Sequence, residues 1–216
     1  MTRNRPTASA AETGAVVRPL RRFDGDDAAL LDALLADHAG AAAELYDRFA
    51  DHVQRVLVRI LGLDHEIPDL MQEVFLQALR SVGSVKDGAR LKAWITSVAV
   101  HTARGCIRKR TRRRWLIVRP PEEMPEQSES GEDAEGRELL RLTYAVLDKL
   151  PAEERIAFAL RHIEGLELLQ VADALGVSLA TVKRKLERAE RRFKSLAERQ
   201  PALQERIARS DRWRSR

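Results

Sequence analysis

Seven of the twelve side chains in residues 183–194 are Lys or Arg, and so are seven of the eleven in residues 104–114. Cationic groups at this density do one kind of chemistry. They bind polyanions, phosphates above all, and an arginine can also read a guanine edge through two parallel hydrogen bonds. The acids are kept apart, with seven carboxylates and no cation in residues 122–135. The formal net charge of +5 therefore understates the basicity that matters. Nothing in the chain has the pattern of a nucleophile paired with a base, a phosphate-cradling glycine loop or a metal cluster. The single cysteine, Cys106, forbids an internal disulfide or a cysteine-based zinc site, and the five histidines are scattered. The expectation is a binding protein, not an enzyme, with no cofactor.

The second basic block lies on a helix-turn-helix pattern. Within residues 165–196 (GLELLQVADALGVSLATVKRKLERAERRFKSL), Leu168, Val171, Ala172 and Leu175 recur at helical spacing. Gly176 stands where a left-handed residue ends a helix at low cost, and Ser178 is placed to cap the next one. Val182, Leu186, Ala189 and Phe193 then form an inward stripe, which turns Thr181, Arg184, Arg188 and Arg191 outward. A helix presented in this way fits a major groove, although a hairpin with a merely solvated basic face would carry the same stripe. The first basic block ends a long helix expected from about Leu91. There an inner stripe of Leu91, Ile95, Val98, Ala99 and Thr102 gives way to arginines, so that an anchored front half projects a charged rear half.

These elements sit in a chain of 216 residues, 44% of them hydrophobic, with no apolar run long enough to span a membrane and no stretch of signal-peptide type. A cytoplasmic protein without membrane insertion is expected. No β alternation of useful length occurs. The predicted fold class is all-α, with two small helical domains joined by a flexible acidic linker. Residues 1–26 read as a disordered arm, 27–115 as the first domain, 116–136 as the linker, 137–199 as the second domain and 200–216 as a basic tail. The linker spans at most about 70 Å when fully extended. That is close to the ~68 Å of two turns of duplex DNA.

Several motifs together resemble a known family. Residues 69–75 (DLMQEVF), residues 91–95 (LKAWI) followed by Val98 and Ala99, residues 147–151 (LDKLP) followed by Arg155 and Leu160, and residues 171–189 (VADALGVSLATVKRKLERA) stand in the order found in small bacterial RNA polymerase sigma factors. The group is the extracytoplasmic-function (ECF) branch of the sigma-70 family, and the resemblance covers residues 40–114 and 139–196. It implies a transcription initiation factor that binds core RNA polymerase, reads the −10 and −35 promoter elements and helps to melt the first. An anti-sigma factor is implied as a further partner. Two positions depart from the family pattern: His101, where Asn is usual, and residues 66–68 (Glu-Ile-Pro), where Ala-Glu is common.

By the same resemblance, Asp69, Gln72, Glu73 and Phe75 would dock on the clamp helices of the largest polymerase subunit, and the second domain on the flap. Ser84, Lys86, Asp87 and Arg90, in the loop at residues 84–90, would help to receive a base flipped from the −10 element. Arg104, Arg108, Lys109 and Arg112 would run along the backbone of that element. Ser178, Thr181, Lys183, Arg184, Glu187 and Arg188 would face the −35 element, the arginines suiting guanine and Glu187 a cytosine amine. Glu187 has an alternative, pairing with Lys183 or Arg191 one turn away. Trp94 reads either as a wedge that opens DNA or as a core residue, and Cys106 either as a redox thiol or as a buried, inert one.

Overall fold

The computed structural model describes residues 25–116 and 134–204. The arm, most of the acidic linker and the end of the basic tail lie outside the described residues. Eight α-helices follow in order: α1 (Asp27–Leu35), α2 (Ala41–Leu61), α3 (Ile67–Ser81), α4 (Leu91–Leu116), α5 (Ala134–Leu147), α6 (Ala152–Phe158), α7 (Leu168–Leu175) and α8 (Leu179–Ala197). Among the described residues there is no strand, so the all-α class holds. No helix there is long and apolar enough to cross a membrane.

Local chemistry sets the helix ends. Asp26 caps α1 by accepting from the Ala29 N–H at 2.9 Å. Glu167 and Gln170 form a reciprocal capping box at the start of α7. Gly176 ends α7 at φ +66°, and Ser178 caps α8 by accepting from the Thr181 N–H at 3.3 Å, as the sequence predicts. Pro68 occupies the first turn of α3, where its missing N–H costs no hydrogen bond.

The helices fall into two groups, α1–α4 and α5–α8, and these share a core. Leu45, Val53, Val74, Leu91 and Ile95 of the first group belong to one continuous apolar cluster with Ile156, Leu160, Val171, Val182 and Leu186 of the second. A smaller cluster, which includes Leu147, Phe158, Ala189 and Phe193, belongs to the second group alone. Leu203, beyond the expected domain end at 199, is buried in it. Helix α4 packs on α2 and α3 and also on α6 and α7. This explains why Val100 and Ala103 are fully buried beside the expected stripe of Leu91, Ile95 and Ala99.

A polar clasp joins the groups where α2 ends. The last carbonyls of a helix have no partners within it. Here Arg155 Nε donates to the Ile60 carbonyl at 2.9 Å and Nη2 to the Leu61 carbonyl at 3.1 Å, while Nη1 pairs with Asp148. Tyr144 Oη donates to the carbonyls of Val58 and Arg59 at 3.0 and 3.1 Å. Gly62 makes room for this. Its φ of +86° suits glycine, and a Cβ there would stand 3.1 Å from the Tyr144 ring. Burial pulls the Arg155 pKa down despite Asp148, and burial raises that of Tyr144. Arg155 is 3% exposed, so its guanidinium replaces nearly all of its hydration with these acceptors.

Arg155→Ala should therefore lower stability in urea unfolding by about 1–3 kcal/mol, the cost of buried carbonyls left without donors. Arg155→Lys should recover little of it, because an ammonium cannot reproduce the planar fork. An unfolding midpoint unchanged in both variants would contradict the clasp.

Candidate functional site

Three surfaces carry the residues singled out in the sequence. The first is one face of α3. Asp69, Gln72 and Glu73 are exposed there, and Glu73 accepts from Gln77 Nε2 at 2.9 Å. Phe75, by contrast, is 7% exposed. The buried side of α3 runs through Leu70, Met71, Val74, Phe75 and Ala78, and that register carries Phe75 inward, where its ring meets Tyr46 at 4.8 Å. The apolar part of the outer face is supplied instead by Leu76, 52% exposed, and Leu79, 38% exposed. The signal for them was present: Leu76 stands four residues after Gln72 and Leu79 three after Leu76.

The second surface combines the loop at residues 82–90 with the rear of α4. Two short 3-10 turns, Val82–Ser84 and Gly88–Arg90, shape the loop. Ser84 Oγ donates to the Ser81 carbonyl at 2.7 Å, and Asp87 accepts from the Ala89 N–H at 2.9 Å. These two side chains shape the loop, and Ser84, Lys86, Asp87 and Arg90 are all exposed on it. Gly88 is where α1 meets the loop, since a Cβ there would lie 2.3 Å from Ala28 Cα. Arg48 holds the start of α1 by donating to Asp27 at 2.9 Å, Glu44 at 2.7 Å and the Gly25 carbonyl at 2.8 Å.

On α4 the basic block is not uniform. Arg110 is engaged inside the first group, with Asp64 at 2.5 Å and Glu66 at 2.7 Å. Burial opposes ionisation of Asp64, but hydrogen bonds from Arg110 and from the Glu66 backbone outweigh it and hold its pKa below the ordinary range. The hydrogen bond from Arg110 does the same for Glu66. Arg108, Lys109 and Arg112 are exposed. Arg104 is not: its side chain is 17% exposed and lies 2.8 Å from Glu153. Trp94 is half-buried against the core, which favours its core reading, and His101 is exposed. Cys106 is buried and donates to Glu66 at 3.2 Å. Burial, reinforced by Glu66 and Asp64, pushes the thiol up to about 12 in spite of Arg110. This is the inert reading, not the redox one.

The third surface is the outer face of α8. Ser178, Lys183, Arg184, Glu187 and Arg188 are exposed there, with Thr181 half-buried. Arg184 Nη2 donates to Thr181 Oγ1 at 3.3 Å, and Arg188 Nε to the Arg184 carbonyl at 3.2 Å, which holds both guanidinium groups along the helix. Among the described residues Glu187 makes no ion pair with Lys183 or Arg191, so its carboxylate faces outward.

Two outcomes are expected from this geometry. Gly88→Ala should push α1 off the loop and speed amide exchange across Asp27–Leu35, at a cost of about 1–3 kcal/mol; unchanged protection would contradict the close approach. Because a raised pKa leaves little thiolate, native Cys106 at pH 8 should react with iodoacetamide at least about a hundredfold more slowly than in the urea-unfolded chain. Equal rates would overturn the inert reading.

The sequence matches the family model for Sigma-70 region 2 over residues 45–113 and that for Sigma-70, region 4 over residues 140–193. The ECF RNA polymerase sigma factor SigE of Mycolicibacterium smegmatis is 32% identical over 157 residues, covering 70% of this chain and 59% of that protein. The ECF RNA polymerase sigma-E factor of Haemophilus influenzae is 27% identical over 178 residues, covering 76% of this chain and 90% of the relative. Among solved structures, CnrH in complex with the cytosolic domain of CnrY gives a TM-score of 0.56 at 20% identity, over 81% of this chain and 98% of that one. The sigma factor RpoE in complex with the anti-sigma factor NepR, from Bartonella quintana, gives 0.52 at 20% identity, over 74% of this chain and 98% of that one. With region 2 and region 4 both matched, in the order in which the fold carries them, the chain belongs to the ECF group of the sigma-70 family of RNA polymerase sigma factors.

Proposed function

We infer that the chain is a transcription initiation factor that binds core RNA polymerase and directs it to promoters, its two helical groups reading separate elements. The outer face of α3 docks on the polymerase through Asp69, Gln72, Glu73, Leu76 and Leu79. Lys86 and Arg90 of the loop approach the unstacked −10 strand, and Arg104, Arg108, Lys109 and Arg112 follow its backbone, where cations fix register without reading sequence. The outer face of α8 enters the major groove of the −35 element, with Arg184 and Arg188 on base edges. No step asks the chain for catalysis. An anti-sigma partner fits the same reading, since one of the similar solved sigma factors is bound to one.

One observation carries this reading furthest. An exposed acidic and apolar face on α3 coexists with an exposed basic face on α8. Leu76 and Leu79 beside Gln72 and Glu73 give that face both an apolar and an acidic part, a combination suited to a protein partner and not to a phosphate backbone.

Run-off transcription with purified core polymerase, on a promoter mapped upstream of the chain's own gene, tests it. Gln72→Ala/Glu73→Ala should abolish transcript by loss of core binding while leaving duplex binding intact. Arg184→Ala and Arg188→Ala should each cost about 1–3 kcal/mol of discrimination at the −35 element. Binding of specific duplex by the wild type without any binding of core polymerase would replace this function with that of a stand-alone DNA-binding regulator.

A further inference from the structure

The loop at residues 82–90 is seated on every third residue. Val82, Val85 and Gly88 are buried, and the pairs between and after them, 83–84, 86–87 and 89–90, are exposed. Val82 and Val85 fill their seats with their own side chains, 8% and 7% exposed. Gly88 has none, and its seat is filled by the backbone of α1. A Cβ on Gly88 would meet Ala28 Cα at 2.3 Å, Ala28 N at 2.6 Å and the Asp27 carbonyl oxygen at 2.8 Å. Helix α1 packs on both short turns of the loop. Its first turn therefore stands where a loop side chain would otherwise stand, and its position decides how the last two exposed pairs are presented.

A side chain of α2 grips that first turn. Arg48 Nη1 donates to Asp27 Oδ1 at 2.9 Å and Nη2 to the Gly25 carbonyl at 2.8 Å. Glu44, one turn earlier on α2, steadies the guanidinium by accepting from Nε at 3.1 Å and from Nη2 at 2.7 Å. The other supports of α1 act elsewhere. Leu30 and Leu31 enter the core in its second turn, and Asp26 caps the helix from within. A planar fork tied to its own helix fixes both the distance and the angle of what it holds, which a single point charge does not. With Nε and both terminal nitrogens engaged, this guanidinium is committed to the fold and not offered to a phosphate.

We propose that Arg48 is a positioning residue for base readout by the loop, acting through the first turn of α1 on Gly88 and so on the exposed pairs beside it. This rests on the assignment of the loop to the −10 strand under Proposed function. Arg48 touches no nucleic acid. It keeps the loop in the conformation that meets an unstacked base, so that binding spends little free energy on ordering it. Releasing the start of α1 leaves Lys86, Asp87 and Arg90 in the chain but lets the backbone beneath them shift.

The test uses the full chain and fluorescein-labelled single strands. One carries the −10 element of the promoter mapped upstream of the chain's own gene, and the others replace each base of that element in turn. Arg48→Met keeps the reach of the side chain and removes its donors. The preference for the promoter's own strand over the most strongly rejected replacement should fall about tenfold. The log–log salt slope should stay as in the wild type, because no phosphate contact is lost. Affinity for a duplex carrying the −35 element should stay the same as well. In a Gly88→Ala background, where the loop is already displaced, adding Arg48→Met should lower the preference no further. Asp27→Asn, which spares the Gly25 and Glu44 contacts, should give a smaller loss of the same kind and stands in if Arg48→Met does not fold. Preference equal to that of the wild type in these variants would overturn the positioning role. A slope shallower by about 0.7, the value for one phosphate on single-stranded DNA, would overturn it by making Arg48 a direct contact. An equal loss at the −35 duplex would overturn it by tracing the effect to general destabilisation. Wild-type binding without preference among the bases is a separate failure, visible before any variant is made: it would overturn the assignment of the loop to the −10 strand, and the positioning role with it.

Discussion

Helix α2 ends against the second helical group, and the carbonyls of its last turn need donors that the helix itself does not supply. Ile60 and Leu61 find them in Arg155, and Arg59 in Tyr144, both from the other helical group, while Val58 accepts from the Gly62 N–H as well as from Tyr144. A buried backbone oxygen without a partner costs more than a typical hydrogen bond contributes, so this end of α2 fixes where the second group can sit. Gly62 is part of the same constraint, since a side chain there would meet the Tyr144 ring. Once α5 and α6 are held at α2, the faces of α6 and α7 fall on α4, and the apolar cluster becomes continuous across both groups.

Placement then decides which charges are available. The arginines of α4 divide into three kinds by what stands beside them. Arg110 is committed to Asp64 and Glu66 within the first group. Arg104 faces Glu153 across the seam, and Lys109 and Arg112 point to water. Helix α8 keeps its outer face open because its inner stripe of Val182, Leu186, Ala189 and Phe193 satisfies both apolar clusters at once.

Most of what was legible in the sequence is local. The stripe, the stop at Gly176 and the cap at Ser178 specify α7 and α8 within thirty or so residues, and the structure follows them. The all-α class follows from the same periodicity. The inward packing of Phe75 was not legible because a motif gives residue types without giving the register of the helix against its core; the burial of Leu70, Met71 and Val74 on one side carries Phe75 with them. The engagement of Arg110 was not legible either, because its partners Asp64 and Glu66 lie more than forty positions earlier. Arg155 and Glu153 are harder still. Their meaning depends on carbonyls and guanidinium groups of another helical group, and no periodicity in residues 152–158 (AEERIAF) reports those neighbours. The residues that join the two groups are thus the least visible in the sequence, and those that build each helix the most.

The central claim is that the chain is one closed body, held at the end of α2 by Arg155 and Tyr144. The direct measurement is the distance between nitroxide labels at Asp51→Cys and Lys149→Cys in a Cys106→Ser background, read by pulsed dipolar electron resonance. A single short distance in the wild type, lengthened and broadened when Arg155→Ala and Tyr144→Phe remove the clasp, is the predicted result. A broad or long distribution in the wild type, or the same short distance after both clasp residues are removed, would contradict the account.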